Sequence, residues 1–264
     1  MVFERDNRTV ALTQAGLLLR DYARQALGDY SRLKTSIQEQ SQDLRGRLSL
    51  FCSVTASYSF LHDLLDRFRI DYPSIELQLH TGDSAEALQR VTDELDDVVI
   101  AALPPKLSDK LEFLPLAHSS LVCIGPLRTS PVQSLIKGVK SEEDINWDVL
   151  PFVMPESGLT RVRVDEWFSH KQIKPLVYAQ VSGHEAMVSM ASLGCGVAVV
   201  PKVVLDNSPM RDTLRILPVM SELKPFVIGL CVIRRKLSNP LIAAFWSVAE
   251  YGSSVDKQSG YRLV

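Results

Sequence analysis

Residues 46–58 read Gly-Arg-Leu-Ser-Leu-Phe-Cys-Ser-Val-Thr-Ala-Ser-Tyr, and this stretch decides the fold. Leu48, Leu50 and Cys52 recur at the two-residue period of a strand. Small hydroxyl residues that favour helix starts follow at once: Ser53, Thr55 and Ser57. Leu61, Leu64, Leu65 and Phe68 then keep helical spacing up to Tyr72-Pro73, where the proline ring drives the preceding residue out of the helical region. Ile75, Leu77 and Leu79 give a second strand, closed by Thr81-Gly82-Asp83. A helix over roughly 84–93 leads to a third strand, Val98–Ala102. Strand, helix, strand, helix, strand in this order predicts βαβ units and a parallel sheet.

Downstream the pattern repeats. After a polar, proline-containing stretch over 126–146 come a strand at Pro151–Met154 and a helix near Leu159–His170, with Trp167 and Phe168 on its apolar side. A strand at Leu176–Val181, a helix at His184–Leu193 and a strand at Val197–Val200 complete a second block. Strand-like runs at Leu121–Ile124 and Phe226–Ile233 flank it, and a helix over Pro240–Tyr251 is expected to return to the first block. Gly252 to Val264 reads as a mobile tail. The expected division is 46–125 with 226–264 as subdomain I and 126–225 as subdomain II, with a hinge and a cleft where the chain crosses twice.

Upstream, charged turn residues lie between two short apolar runs over 1–12, the pattern of a small hairpin. Thr13 is a good N-cap for a helix running to about Gln42, within a segment 13–45. Its apolar positions, Ala15, Leu19, Tyr22, Ala26, Tyr30, Leu33 and Ile37, are spaced by three or four residues. So narrow a stripe predicts a seam against a partner helix, most simply in a second copy of the chain, with a helix lying on its own domain as the alternative.

Composition excludes several classes. An apolar fraction of 46% and a charged fraction of 23% match ordinary globular proteins. There is no long uncharged apolar run and no secretory leader pattern, which favours a cytoplasmic location. A net charge of −2 argues against a dedicated nucleic-acid binder, although residues 1–47 carry eight basic against six acidic side chains. Cys52, Cys123 and Cys231 fall in apolar runs and Cys195 between glycines, so buried thiols are favoured over disulfides or a metal site. The five histidines lack ligand spacing, and no nucleophile elbow, zinc-protease helix or phosphate-binding glycine loop is present. Neither a catalytic residue, a metal nor a cofactor is expected. Asp96-Asp97 read as surface turn residues.

Ligands of open α/β sheets sit beyond the carboxyl ends of the strands, against helix N-termini. The loops there offer Ser53, Thr55, Ser57, Thr81, Gly82, Ser157, Gly183 and His184 as hydroxyl, ring and backbone N–H donors for a small carboxylate. Ordinary helix capping explains the same residues, and His184 suits either role. Arg161, in the first turns of its helix, opposes the helix dipole, so it either clamps a carboxylate or faces solvent.

The opening Phe3-Glu-Arg-Asp-Asn-Arg8-Thr-Val10-Ala-Leu12-Thr13-Gln-Ala15-Gly16 resembles the wing and linker start of LysR-type transcription regulators, and Gly194-Cys-Gly196-Val-Ala-Val-Val-Pro201 resembles a later segment of the same family. The resemblance implies an α/β fold: a periplasmic-binding-protein-like effector domain of two subdomains, preceded by a long linker helix and the remnant of a winged helix-turn-helix. It implies promoter DNA as partner, with Arg5, Asn7 and Arg8 of the wing touching it, and a homodimer or homotetramer paired through Leu19, Tyr22, Ala26 and Leu33. RNA polymerase is a candidate further partner. Because the recognition helix of that family precedes the wing, the chain as given is expected to hold an operator weakly. Arg5-Asp-Asn-Arg-Thr-Val10, Phe51-Cys-Ser-Val-Thr-Ala56 and Gly183-His-Glu-Ala-Met-Val-Ser-Met190 resemble most closely the members that activate branched-chain amino-acid synthesis. That likeness implies an acetohydroxy acid such as acetolactate as inducer. A stand-alone solute-binding protein of similar build is the alternative.

Overall fold

A computed structural model of the chain describes residues 2–6, 9–39, 44–219 and 223–258. Residues 1–45 and 46–264 form two separate compact units. In the first, β1 (Phe3–Asp6) pairs antiparallel with β2 (Thr9–Leu12), Phe3 facing Leu12. Thr13 then caps α1 (Gln14–Glu39) as its residue type suggests, its Oγ1 accepting the Gly16 N–H at 3.0 Å. The Thr13 N–H donates to the Val2 carbonyl, which ties the helix start to the hairpin. The expected helix end near Gln42 falls outside the described residues.

In the second unit β3 (Gly46–Cys52) opens the sequence α2 (Val54–Ser59), α3 (Leu61–Asp71), β4 (Ile75–Thr81), α4 (Ala87–Thr92), β5 (Val98–Ala102) and β6 (Leu111–Ser119). Then come β7 (Leu121–Pro126), α5 (Pro131–Ile136), β8 (Pro151–Pro155), α6 (Gly158–His170), β9 (Leu176–Val181), α7 (His184–Leu193), β10 (Val197–Pro201), α8 (Lys202–Asp206) and β11 (Leu214–Leu217). Finally β12 (Phe226–Ile233) and α9 (Pro240–Gln258) follow. The strands form two five-stranded sheets, ordered β4-β3-β5-β12-β6 in lobe I and β11-β7-β10-β8-β9 in lobe II. In each, three strands run parallel as the βαβ pattern requires, and the strands around the two crossings pair antiparallel.

The chain leaves lobe I at Ser120 and returns between β11 and β12. The crossing at Ser120 is pinned by the Lys202 N–H on the Ser120 carbonyl at 2.7 Å and the Val203 N–H on the Ser119 hydroxyl at 3.3 Å. The change of sheet therefore comes before β7, a few residues earlier than the division at 126. Strands β6 and β11 and helices α5 and α8 add to the elements expected. Helix α9 also runs through Gly252 to Gln258, where the sequence suggests a tail, and residues 259–264 lie outside the described ones.

One face of the lobe I sheet buries Phe51, Val99, Ala101 and Cys231 with Ala87 and Val91 of α4. The other is covered by α3 and α9, whose Phe68 and Phe245 rings meet edge-on at 5.0 Å. Lobe II is held by Trp147, Trp167, Phe168 and Phe152, ring centroids 5.2–5.8 Å apart. Such edge-to-face pairs add roughly 0.5–1.5 kcal/mol each to the area they bury.

Asp96 is a correction to the sequence reading. It is buried, not a surface turn, and one carboxylate oxygen takes His80 Nδ1 at 2.6 Å while the other accepts Arg90 Nε at 2.7 Å. The Arg90 guanidinium in turn lies 4.5 Å from the centre of the Phe51 ring. Asp97, next in the chain, accepts both the N–H and the hydroxyl of Ser49. Asp96→Ala is expected to destabilise the domain by about 2–3 kcal/mol. That is below the roughly 3–5 kcal/mol of a fully buried broken pair, because Arg90 and His80 regain water once released. Urea unfolding of the two proteins measures it.

Candidate functional site

Parallel strands of both lobes end in the space between them. From lobe I come the turn after β4, with Asp83, Ser84 and Ala85, and the end of β5, with Ala101 and Ala102. Lobe II brings Pro155, the start of α6 over Ser157 to Thr160, and the start of α7 at Gly183 and His184. Together they enclose a cavity of about 330 Å³. Its apolar wall is made by Leu88, Pro104, Pro105, Val162, Met187 and Phe226, and its lining contains neither lysine nor arginine.

Two local features shape the lobe II side. Gly158 takes φ +83°, and a Cβ there would come 2.8 Å from the Ala85 Cβ across the cleft, so glycine lets the lobes touch. Ser157, the N-cap of α6, is extended and does not turn its hydroxyl onto the helix. The first-turn N–H groups of α6 thus open on the cavity without a side-chain cap, at the positive end of a 13-residue helix.

Thr160, buried in that first turn, places Oγ1 2.7 Å from His184 Nε2, which links α6 to α7. Burial pushes the His184 pKa below its ordinary value, against weaker opposing pulls from the Glu185 and Asp83 carboxylates. The ring is therefore neutral near pH 7, a hydrogen-bonding group and not a cation.

Two carboxylates cross the cleft. Glu185 Oε1 accepts the Thr55 N–H at 2.9 Å and the Thr55 hydroxyl at 2.7 Å. Asp83 Oδ2 accepts the Ser182 hydroxyl at 2.8 Å and the Gly183 N–H at 3.1 Å.

Of the residues expected to meet a ligand, Ser157, Gly183 and His184 line the cavity and the others do not. Ser53 caps α2, its Oγ accepting the Ala56 N–H at 3.2 Å, and the Ser57 hydroxyl donates to the Val54 carbonyl. Thr55 is buried and committed to Glu185. Thr81 and Gly82 are exposed at the end of β4, where the Gly82 N–H is taken by the Cys52 carbonyl.

Arg161 is not among the residues lining the cavity. Its guanidinium is held by Asp165 at 2.6 Å, the Pro155 carbonyl at 3.1 Å and the Gln180 side chain at 2.9 Å, all in its own lobe. Asp165, one turn on, supplies the compensation that a cation near a helix N-terminus needs. The apolar wall escaped the sequence reading because Leu88, Met187 and Phe226 look like ordinary core residues there.

In the first unit Arg5 lies in β1, while Asn7 and Arg8 fall outside the described residues. Leu19 and Tyr22 of α1 are 51% and 71% exposed, Ala26 is exposed as well, and Leu33 falls on the same helix. All four cysteines are free, and burial raises the thiol pKa of Cys52, Cys123 and Cys231 to about 12 each, which leaves them protonated and unreactive. Among the described residues no helix is long and apolar enough to cross a membrane.

The family described as LysR substrate binding domain matches residues 41–252, which take in both lobes and the cavity between them. The chain belongs to the LysR family. The HTH-type transcriptional regulator IlvY of Escherichia coli (strain K12) is 44% identical over 250 residues, 94% of this chain and 83% of that protein. The regulatory domain of CcmR from Synechocystis, solved in complex with 2-PG, is 25% identical with a TM-score of 0.65, covering 79% of this chain and 98% of that one. The effector binding domain of QuiR in complex with shikimate shares the fold at a TM-score of 0.66 and 18% identity, over 80% of this chain and 98% of that one. The named relatives are transcription regulators, not enzymes.

His184 gives this LysR domain a pH signature. Its folded pKa lies below the unfolded value of about 6.5, so as pH falls through that value the unfolded chain gains a proton that the folded chain refuses. Stability should accordingly decline from pH 7 toward pH 5.5. Urea midpoints at pH 7.5 and 5.5 are expected to differ less in His184→Gln than in the parent.

Proposed function

We propose that this regulator is an activator of branched-chain amino-acid synthesis and that a small monocarboxylate, an acetohydroxy acid such as acetolactate, binds between its lobes. The observation that carries the ligand class is the lining of the cavity. One carboxylate suits the first-turn N–H groups of α6, where the helix dipole favours negative charge. The ligand hydroxyl and ketone suit Ser84, Ser157, Thr160 and His184, and a small branched remainder suits the wall of Leu88, Val162, Met187 and Phe226. A second negative charge meets no lysine or arginine there, and Asp83 repels it. Phosphate esters and dicarboxylates are thereby disfavoured. The likeness to IlvY supports the pathway.

Such a ligand acts by preferring one arrangement of the lobes, since only a difference in affinity shifts an equilibrium. In the same reading α1 pairs two copies through Leu19, Tyr22, Ala26 and Leu33, promoter DNA is the target, the hairpin of β1 and β2 contributes to it as a wing, and RNA polymerase is the further partner. Sedimentation is expected to show dimers or larger assemblies; a clean monomer removes the pairing role of α1.

Calorimetry with acetolactate, pyruvate, 2-oxoisovalerate and a phosphate ester tests the ligand. Acetolactate should bind and raise the melting temperature, and the phosphate ester should do neither. Arg161→Ala should leave acetolactate affinity within about twofold, whereas a carboxylate clamp would cost about 1.5–3 kcal/mol on removal. Tight binding of the phosphate ester would overturn the assignment.

A further inference from the structure

The two carboxylates that cross the cleft exchange places. Lobe I gives Asp83, which lobe II receives on Ser182 and Gly183; lobe II gives Glu185, which lobe I receives on Thr55, so the giving and receiving groups of lobe II lie within four residues. Each carboxylate accepts one backbone N–H and one hydroxyl from the opposite lobe, at 2.7–3.1 Å. The remaining Asp83 oxygen is held in its own lobe by the Ala85 N–H at 3.0 Å, which aims the carboxylate outward. Thr55 is 1% exposed, so its contact with Glu185 is shielded from water. Hydrogen bonds to ionised acceptors are about twice as strong as neutral ones, and shielding raises the cost of leaving their donors unmet.

None of these four bonds survives separation of the lobes, and Glu185 and Thr55 are not among the residues lining the cavity. We infer that Asp83 and Glu185 form a reciprocal latch between the lobes, and that Glu185 sets the balance of open and closed arrangements without touching the effector. This makes Glu185 a positioning residue of the effector response. Its bearing on affinity rests on the reading of the cavity as the effector site; its bearing on closure does not.

Apparent affinity scales with the fraction of protein in the binding-competent arrangement. Glu185→Gln keeps the size of the side chain and removes the charge. It should lengthen the ligand-free distance between spin labels placed by Arg69→Cys on α3 and Lys174→Cys in lobe II. The Cys195→Ser background confines labelling to those sites, since the other three cysteines are buried. With acetolactate as probe, the substitution should weaken binding about tenfold while speeding association, because the lobes open more often. Mere loss of folded protein would not speed association.

Thr55→Val removes the hydroxyl from the opposite side, with the backbone N–H retained. It should shift distance and rate the same way by less, and the double variant should fall short of the sum of the two effects. Thr55→Val also carries the test should Glu185→Gln fail to fold. An unchanged label distance in the two single variants overturns the latch, whatever the ligand result. A lengthened distance with no binding of acetolactate upholds the latch and sinks the ligand instead. Binding that weakens through slower association, at unchanged distance, makes Glu185 an ordinary affinity contact and ends the proposal.

Discussion

In the two sheets that the chain crosses between twice, the carboxyl ends of β4, β5, β8 and β9 meet at one cavity, and the rest of the site follows from that meeting. The helix N-termini that follow those strand ends carry free N–H groups, and the residues before them carry hydroxyls, so a cleft built this way is rich in donors. Left in water the donors are solvated; enclosed, each needs a partner or loses the hydrogen bond it gives up. The chain meets this need unevenly. Asp83 and Glu185 satisfy the donors around Thr55 and Gly183, while the start of α6 is left to the cavity. Gly158 makes the enclosure tight enough to matter, since any side chain there would wedge the lobes apart at Ala85.

Most of the strands and helices were legible because burial imposes periodicity. Val98–Ala102 and Val197–Pro201 are almost wholly buried and read as unbroken apolar runs, and α6 and α7 begin where Ser, Gly and His interrupt the pattern. What escaped has a physical reason. Strand β6, over Leu111–Ser119, alternates imperfectly because its pairing with β12 shifts register between Ile228 and Gly229, and Pro115 falls at that shift. Helix α5 is short and lies in a stretch that looked like a linker, although Ser130 and Pro131 are a proper start, the Ser130 hydroxyl accepting the Gln133 N–H. The turn at Asp96 misled because one carboxylate of the pair is buried and the other is not, and sequence gives no depth.

The same blindness to depth separates the candidate site from the observed one. Every strand-end loop named from sequence sits at a strand end, yet only Ser157, Gly183 and His184 reach the cavity. The cation placed nearest in sequence, Arg161, is drawn off by Asp165, Pro155 and Gln180. A guanidinium with three acceptors in its own lobe has little to gain from a ligand. In the proposed reading specificity comes from what the lining lacks: with neither lysine nor arginine on it, charge itself selects against acids of higher charge.

A cavity of this kind turns ligand recognition into a mechanical signal only if closure is finely balanced. Were the lobes held shut by an apolar interface of many square ångströms, a ligand of a few heavy atoms would supply too small a difference to move them; were nothing to hold them, the ligand would meet the whole cost of closure out of its own affinity. The four hydrogen bonds to Asp83 and Glu185 add to a small packing contact, Gly158 on Ala85 and the Arg163 guanidinium 4.5 Å from the centre of the Phe226 ring. They are directional, so closure reaches one geometry. In the proposed reading, an effector that adds hydrogen bonds beside Asp83 shifts the lobes by the difference it makes between the two arrangements, and that difference has only to exceed what the carboxylate contacts already contribute.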